Sequence, residues 1–522
     1  IREHIFSIVV SVATKIPLCI IGAPGQSKTL SFQIILQNLQ GPQLSSKEFC
    51  KRLPSIDPFF YLGSKYSRSD DIATVFDRAI KRELSYEENR MDTRCVVFLD
   101  EASLPDENKM VLKVLHPYLD DCKVAFIAVS NKLFDAANAN RMMCVYRSIP
   151  SENDQMTLAY GCYLGIKYLN NHVQPYLLNC IITGLCKGYR QVLKSPDIPH
   201  IFHDRDFIYM LRELRFELST SMTQMLTTAV SVGLINGITP LSLLRALENN
   251  FNGIKRSEFE ILVKIFFESI QYQCRDQFDF KLPRKSCYRN TITILRDSMI
   301  LDSLKRCQYG RYKLVIDKSE DESASRLLYQ VGILNPNTTT EFRMSEFIDD
   351  VNNEIRNVEI LSTIKLCMER GKTISMINTQ RIHGSLYDVF NQNFSIMATG
   401  ETRKIFSKVA IGPKTLDVPV HEDFQCIVHI KLSDFKDIPA PFLSRFQKYS
   451  LSIEDFYRIQ LEKLPIIMQN VLNNVENKVQ SFIEHYGKQH FYGLTDSSLY
   501  SILLSFIKLK QYEQPLSLSD SN

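Results

Sequence analysis

Residues Gly22-Ala23-Pro24-Gly25-Gln26-Ser27-Lys28-Thr29 have the spacing of a phosphate-binding loop, G-x-x-x-x-G-K-[ST], with Ser27 in place of the second glycine. In such a loop the backbone N–H groups wrap phosphate oxygens, and the helix that follows points its positive end at them. Lys28 would reach the outer phosphates and the Thr29 hydroxyl would hold Mg²⁺. Serine lacks glycine's freedom at positive φ, so the loop works only if Ser27 tolerates the conformation required. A triphosphatase also needs a carboxylate for the metal and a base for water. Cys95-Val96-Val97-Phe98-Leu99-Asp100-Glu101 offers both: Asp100 for Mg²⁺ and Glu101 for the attacking water.

The elements that must hold these groups are legible beside them. Pro17-Leu18-Cys19-Ile20-Ile21 reads as a buried strand, and Leu30, Ile34, Ile35 and Leu39 recur at helical spacing after the loop. The five apolar residues before Asp100 read as a strand of a parallel sheet covered on both faces. The acids then fall at a carboxyl end, where open α/β sheets bind ligands. Lys123 to Asn131 makes a third strand ending in Asn131, whose amide could bond the γ-phosphate or the water. Asn140-Arg141 follows, and Arg141 could serve a neighbouring subunit's γ-phosphate, with Arg147 a weaker candidate. Each has a plain structural alternative: strand-end cap for Asn131, surface residue for the arginines.

This constellation resembles the AAA+ superfamily: Walker A at 22–29, Walker B at 95–101, a sensor residue at Asn131 and then an arginine finger. The resemblance implies an α/β fold of tandem AAA+ modules, each a P-loop parallel sheet with a helical lid. Ser151 and Asp154 form a capping-box-like start for the lid, and Thr239-Pro240 starts a later helix. In His203-Asp204-Arg205-Asp206-Phe207, Arg205 stands where such lids carry a second arginine sensor. The wording between motifs is more specific. Leu39-Gln40-Gly41-Pro42, Leu99-Asp100-Glu101-Ala102-Ser103-Leu104-Pro105, Leu115-His116-Pro117, Asn138-Ala139-Asn140-Arg141 and Arg205-Asp206-Phe207 resemble the mysterin (ring finger protein 213) family of giant AAA+ E3 ubiquitin ligases. In that family a serine before the P-loop lysine is usual.

The same resemblance organises the second half. Arg311 to Asp317 looks like a P-loop strand, but Lys318-Ser319-Glu320-Asp321-Glu322-Ser323 has no glycine and three acids, a loop that would repel a triphosphate. Thr373 to Asn378 stands where a Walker B strand would, ending in Asn378-Thr379, and Phe424 to Ile430 would be the sensor strand. Pro439-Ala440-Pro441-Phe442-Leu443-Ser444-Arg445-Phe446 resembles an arginine-finger segment, leaving Arg445 the one catalytic-type group of a degenerate module. Gly371-Lys372-Thr373 mimics a P-loop end, yet it follows a helix with no glycine-rich loop and reads as a C-cap before a strand. The implied division is 1–150 nucleotide-binding, 151–290 lid and linker, 291–451 degenerate module and 452–522 helical lid or tail.

Composition fits this picture. The 522 residues suffice for about two to four domains. A net charge of +4 over that length gives no argument for nucleic acid, and no uncharged run is long enough to span a bilayer. The 13 cysteines contain no C-x-x-C pair, so no zinc site is expected in this chain, and their scatter fits a reducing, cytoplasmic setting. The chain begins with Ile1 and is expected to be part of something longer. The resemblance implies ATP and Mg²⁺ as cofactors and adjacent AAA+ modules of the same polypeptide as partners. Ubiquitin-conjugating enzymes and ubiquitination substrates would be partners of the wider protein. Two alternatives to an ATPase motor stay open: an ATP-binding structural switch without significant turnover, and a dynein- or midasin-like mechanical protein.

Overall fold

The computed structural model describes residues 1–23, 25–64, 67–148, 150–164, 176–225, 238–275, 280–319, 322–345, 347, 354–399, 402–411, 414–494 and 498–512. Two five-stranded parallel sheets dominate it. The first contains β1 (Leu18–Ile21), β2 (Ser55–Leu62), β3 (Thr93–Asp100), β4 (Ala125–Ser130) and β5 (Met143–Tyr146), in the order β2-β3-β4-β1-β5. Its inner strands β1, β3 and β4 are near-continuous apolar runs because both faces are covered. Leu18, Ile20, Phe98 and Ile127 pack with the helix Lys28–Asn38; Cys19, Ile21, Val97 and Phe126 pack with the helix Ser69–Glu88.

One feature of the expected helical stripe is corrected. Leu30 is 44% exposed at the mouth of the loop. Because the helix begins at Lys28, its sheet-facing row is Lys28, Ser31, Phe32 and Ile35. Phe32 does the packing, stacked on Phe98 of β3 at 4.0 Å between ring centroids. That stack ties the P-loop helix to the strand carrying Asp100.

Among the described residues five helices follow: Glu152–Leu164, Tyr176–Lys194, Asp204–Met225, Pro240–Asn250 and Arg256–Cys274. They share one apolar core, in which Tyr189 stacks on Phe207 at 4.6 Å. The local signals hold. Asp154 N–H and the Ser151 backbone and hydroxyl close the box at the first helix, and Thr239 caps the fourth with Pro240 at its first turn.

The second sheet contains β6 (Lys313–Asp317), β7 (Thr339–Arg343), β8 (Thr373–Ile377), β12 (Gln425–Lys431) and β13 (Gln447–Leu451), in the order β13-β6-β12-β8-β7. Read from the other edge, this is the order of the first sheet. Between β8 and β12 lies an antiparallel sheet, β9 (Ser395–Thr399), β10 (Thr402–Ile411) and β11 (Lys414–Pro419), which the sequence reading did not anticipate. Gly371 has φ +68° after the helix Glu354–Glu369, as a C-cap glycine should. Of the acidic loop, Glu320 and Asp321 lie outside the described residues. The chain continues in the helices Ile453–Glu462, Ile466–Tyr486 and Ser498–Tyr512.

Candidate nucleotide site between the two sheets

The loop after β1 is shaped as a cradle. Gly25 has φ +83° and Ser27 has φ +59°, so the serine sits in the left-handed conformation that glycine usually supplies. Gly22 has no room for a side chain: a Cβ there would lie 2.7 Å from both Arg147 Cβ and Gln26 Oε1. The Gln26 side chain accepts from the Ala23 N–H at 3.1 Å and braces the turn from inside. Pro24 lies outside the described residues. Lys28 is buried, and its ammonium donates to Gly22 O (2.7 Å), Ala23 O (2.8 Å) and Asn131 Oδ1 (3.0 Å). Burial pushes its pKa down to about 8, although Glu101 and Asp100 pull the other way.

Thr29 Oγ1 lies 3.2 Å from each carboxylate oxygen of Asp100. Hydroxyl and carboxylate are the hard oxygen donors that Mg²⁺ takes alongside phosphate and water, so the residues present fit that ion. Asp100 is pushed up to about 7, by burial first and by Glu101 second, an excess of negative charge that a cation would relieve. Among the described residues no group of three or more His, Cys, Asp or Glu gathers as a metal site. Glu101 follows β3 in a left-handed conformation, φ +50°, and its side chain reaches across to Arg445 of the second module.

There the two halves of the chain meet. Glu101 Oε2 accepts from Asn131 Nδ2 at 2.8 Å, and Oε1 accepts from Arg445 Nη2 at 2.9 Å. Arg445 is 5% exposed, lies 3.6 Å over the Tyr387 ring and donates to Pro441 O at 2.6 Å. Arg205, at the start of the helix Asp204–Met225, points into the same space and donates to Asn391 Oδ1 at 2.6 Å. Burial, then the neighbouring Arg445, lowers Arg205 to about 10. These groups line a cavity of about 330 Å³ with the loop on one wall and Asn391 and Arg445 on the other. Four cations, Lys28, Arg205, Arg212 and Arg445, line it with one carboxylate, Glu101, so the space favours an anion.

Arg141 does not join them. Its Nε donates to Asp120 at 2.9 Å and its Nη1 to Ala137 O at 2.7 Å, on a surface away from this cavity. Arg147 stands behind Gly22, its backbone N–H donating to Ile21 O. Asn391 and Tyr387 were missed from sequence. They belong to no motif of the degenerate module, and the one signal was the polar run Asn391-Gln392-Asn393 closing an apolar turn.

The sheet order, the loop–helix after β1 and the lid helices define an AAA+ fold, present twice in one chain. Residues 1–154 match the family model described as an RNF213 AAA domain, and residues 302–457 match a second model of the same description. The chain is accordingly an RNF213-like pair of AAA+ modules. It is 26% identical to the human E3 ubiquitin-protein ligase RNF213 over 520 residues, and 27% identical to zebrafish (Danio rerio) rnf213-beta over 476, covering 95% and 86% of this chain. An uncharacterized Dictyostelium discoideum protein, described as transmembrane, is 29% identical over 99% of the chain. The chain spans only 8–9% of the length of these relatives. Among its described residues no helix is long and apolar enough to cross a membrane. RuvB of Thermotoga maritima matches at a TM-score of 0.27 and 10% identity, over 52% of this chain and 87% of that one.

Proposed function

We propose that the chain binds ATP in the first module and hydrolyses it at a site completed by the second. The observation that carries this is the approach of Arg445 to Glu101, from a module with no usable P-loop of its own, onto a cavity walled by Lys28 and Thr29. In this reading residues 22–29 hold the phosphates and Lys28 leaves the loop carbonyls for phosphate oxygens. Thr29 and Asp100 would hold Mg²⁺, which when bound offsets phosphate charge. Glu101 accepts the proton of the attacking water, Asn131 orients that water, and Arg205 and Arg445 offset charge building on the γ-phosphate. Residues 1–150 and 151–290 form the active module with its lid; 291–451 and 452–522 form the partner that serves it.

Glu101 is held through both its oxygens, by Asn131 and by Arg445. A γ-phosphate that draws Arg445 away would release it. The same contact supports a second reading, an ATP-binding switch with negligible turnover. ATP turnover and binding by the wild type, Lys28→Ala, Glu101→Gln and Arg445→Ala decide between them. Hydrolysis requires that Lys28→Ala lose binding and that the other two bind ATP with turnover cut by roughly a thousandfold, the scale of an arginine finger. Equal, slow turnover in all four would leave only the switch. By likeness to the RNF213 relatives, the motor would serve a cytoplasmic E3 ligase. Its conjugating enzyme and substrates would be met outside this segment.

A further inference from the structure

Asn391 occupies a place that the proposed reaction does not by itself explain. Its single side-chain oxygen accepts from Arg205 Nη1 at 2.6 Å and from Arg445 Nε at 2.7 Å. One arginine comes from the lid of the first module, the other from the second. Two guanidinium groups repel when they converge in a poorly solvated space. A neutral carbonyl oxygen with two lone pairs can bridge them without cancelling the charge that a phosphate would need. Bonds from ionised donors are also about twice as strong as neutral ones.

The placement of that oxygen is rigid. Asn391 N–H donates to Tyr387 O at 2.9 Å, closing the short turn Tyr387–Phe390. Tyr387 is the ring beneath Arg445. Phe390 packs on Phe442 and Phe446, at 5.6 and 5.0 Å between centroids, and these two flank Arg445 in sequence. The inserted sheet backs this turn: Val409 of β10 is buried in the same core. One aromatic cluster therefore fixes both Arg445 and the acceptor that aims it. The lid arginine is then drawn to that same point.

We propose that Asn391 is a positioning residue for the nucleotide: it aims Arg205 and Arg445 together at the terminal phosphate, and makes this turn of the second module part of the first module's site. The proposal rests on the ATP reading above, with Arg205 and Arg445 as its phosphate-facing cations. It predicts that both arginines act as a pair whose geometry is lost when the shared oxygen is removed.

The test uses the whole chain with ATP, ADP and Mg²⁺. Asn391→Ala, and Asn391→Leu as a variant that keeps the volume, should lower kcat roughly a hundredfold, as misplacement of a reacting group by about 1 Å does. In a Glu101→Gln background the preference for ATP over ADP should collapse, with ADP affinity unchanged. Asn391→Ala combined with Arg445→Ala should be no worse than Arg445→Ala alone, because both remove one geometry. A merely structural asparagine would shift melting but leave the ATP-to-ADP ratio alone. Wild-type kcat and ratio in both variants, or losses that multiply in the double variant, would overturn the inference. If the wild type shows no turnover that depends on Glu101, the hydrolysis reading fails separately, and the ATP-to-ADP ratio alone decides for or against Asn391.

Discussion

Replacing Asp206 by Asn should loosen the joint between the two modules by about 3 kcal/mol, the low end of what breaking a buried ion pair costs. Asp206 lies one residue from Arg205 in the lid and has no exposed surface. Its carboxylate accepts from Arg311 Nη1 at 2.7 Å and from Lys448 Nζ at 3.0 and 3.1 Å, both in the second module and both buried. Asparagine keeps the shape but strands two cations away from water. Arg311 retains Asn250 Oδ1 at 3.1 Å and the Tyr209 ring at 4.8 Å, and Lys448 the Phe202 ring at 5.7 Å, which is why the low end applies. At about 2–4 °C per kcal/mol for a module of this size, the joint should melt about 6–12 °C earlier. The chain has no tryptophan, so circular dichroism is the suitable probe. If the loss comes from unpaired charge, the combination Asp206→Leu, Arg311→Met, Lys448→Met should recover much of it. Burial would raise Asp206, but Lys448 and Arg311 outweigh it and hold it below the ordinary carboxylate range. Its contribution is therefore full above its unfolded value, near pH 4, and fades as pH falls through the lower folded value. A shift under about 1 kcal/mol for Asp206→Asn, or an apolar triple variant no better than the single one, would refute the reasoning.

Three further outcomes are expected. Ser27→Gly should keep ATP binding and raise stability by up to about 1 kcal/mol, since φ +59° suits glycine, whereas Ser27→Val should lose binding; calorimetric titration and melting check both. Calorimetry should also count one nucleotide per chain, and a second site of similar affinity would contradict a degenerate second module. His383 donates to or accepts from Thr379 at 2.9 Å and stacks on Phe442 at 4.5 Å, and burial pushes it down to about 3. A folded value below the unfolded one means stability is lost as pH falls below about 6.5, by about 2 kcal/mol at pH 5. His383→Gln should flatten that acid limb in a pH series of melts, and an unchanged limb would exclude His383 as its source.

The parts of the site legible in sequence are those whose chemistry is local. A loop, an apolar strand and a terminal acid pair are neighbours in the chain, so Lys28, Thr29, Asp100 and Glu101 can be named from spacing. Burial of the sheet on both faces makes β1, β3, β4, β6 and β12 readable as apolar runs. The inserted β9–β11 sheet is harder, because its strands mix Lys, Thr and Ser with apolar residues and its register is set by hairpin pairing. What no spacing reveals is the meeting of Arg445 with Glu101 across 344 residues, or of two arginines on one amide. Those contacts arise from the packing of one module on the next. Arg205 and Arg445 could be singled out in sequence, but the oxygen that joins them could not.

Beyond its acidic loop, the second module carries a further feature that disfavours a nucleotide. Glu322, with φ +63°, takes the left-handed position before the helix Ser323–Gln330 that Ser27 takes before Lys28. Asn378, with φ +56°, likewise matches Glu101 at the end of the third strand. The frame of a P-loop site is thus retained, but its anion is internal. The Asp317 carboxylate, at the end of β6, accepts from Ser319 N–H at 2.8 Å and from Ala324 N–H at 3.2 Å, and lies 3.1 Å from His429 Nε2 of the sensor-position strand. A carboxylate satisfies the N–H groups at the start of that helix as a phosphate would. Glu322 is paired in turn with Arg343. A module held by its own carboxylate needs no ligand to stay in shape. It can therefore present Arg445 and Asn391 to the first site without a nucleotide of its own.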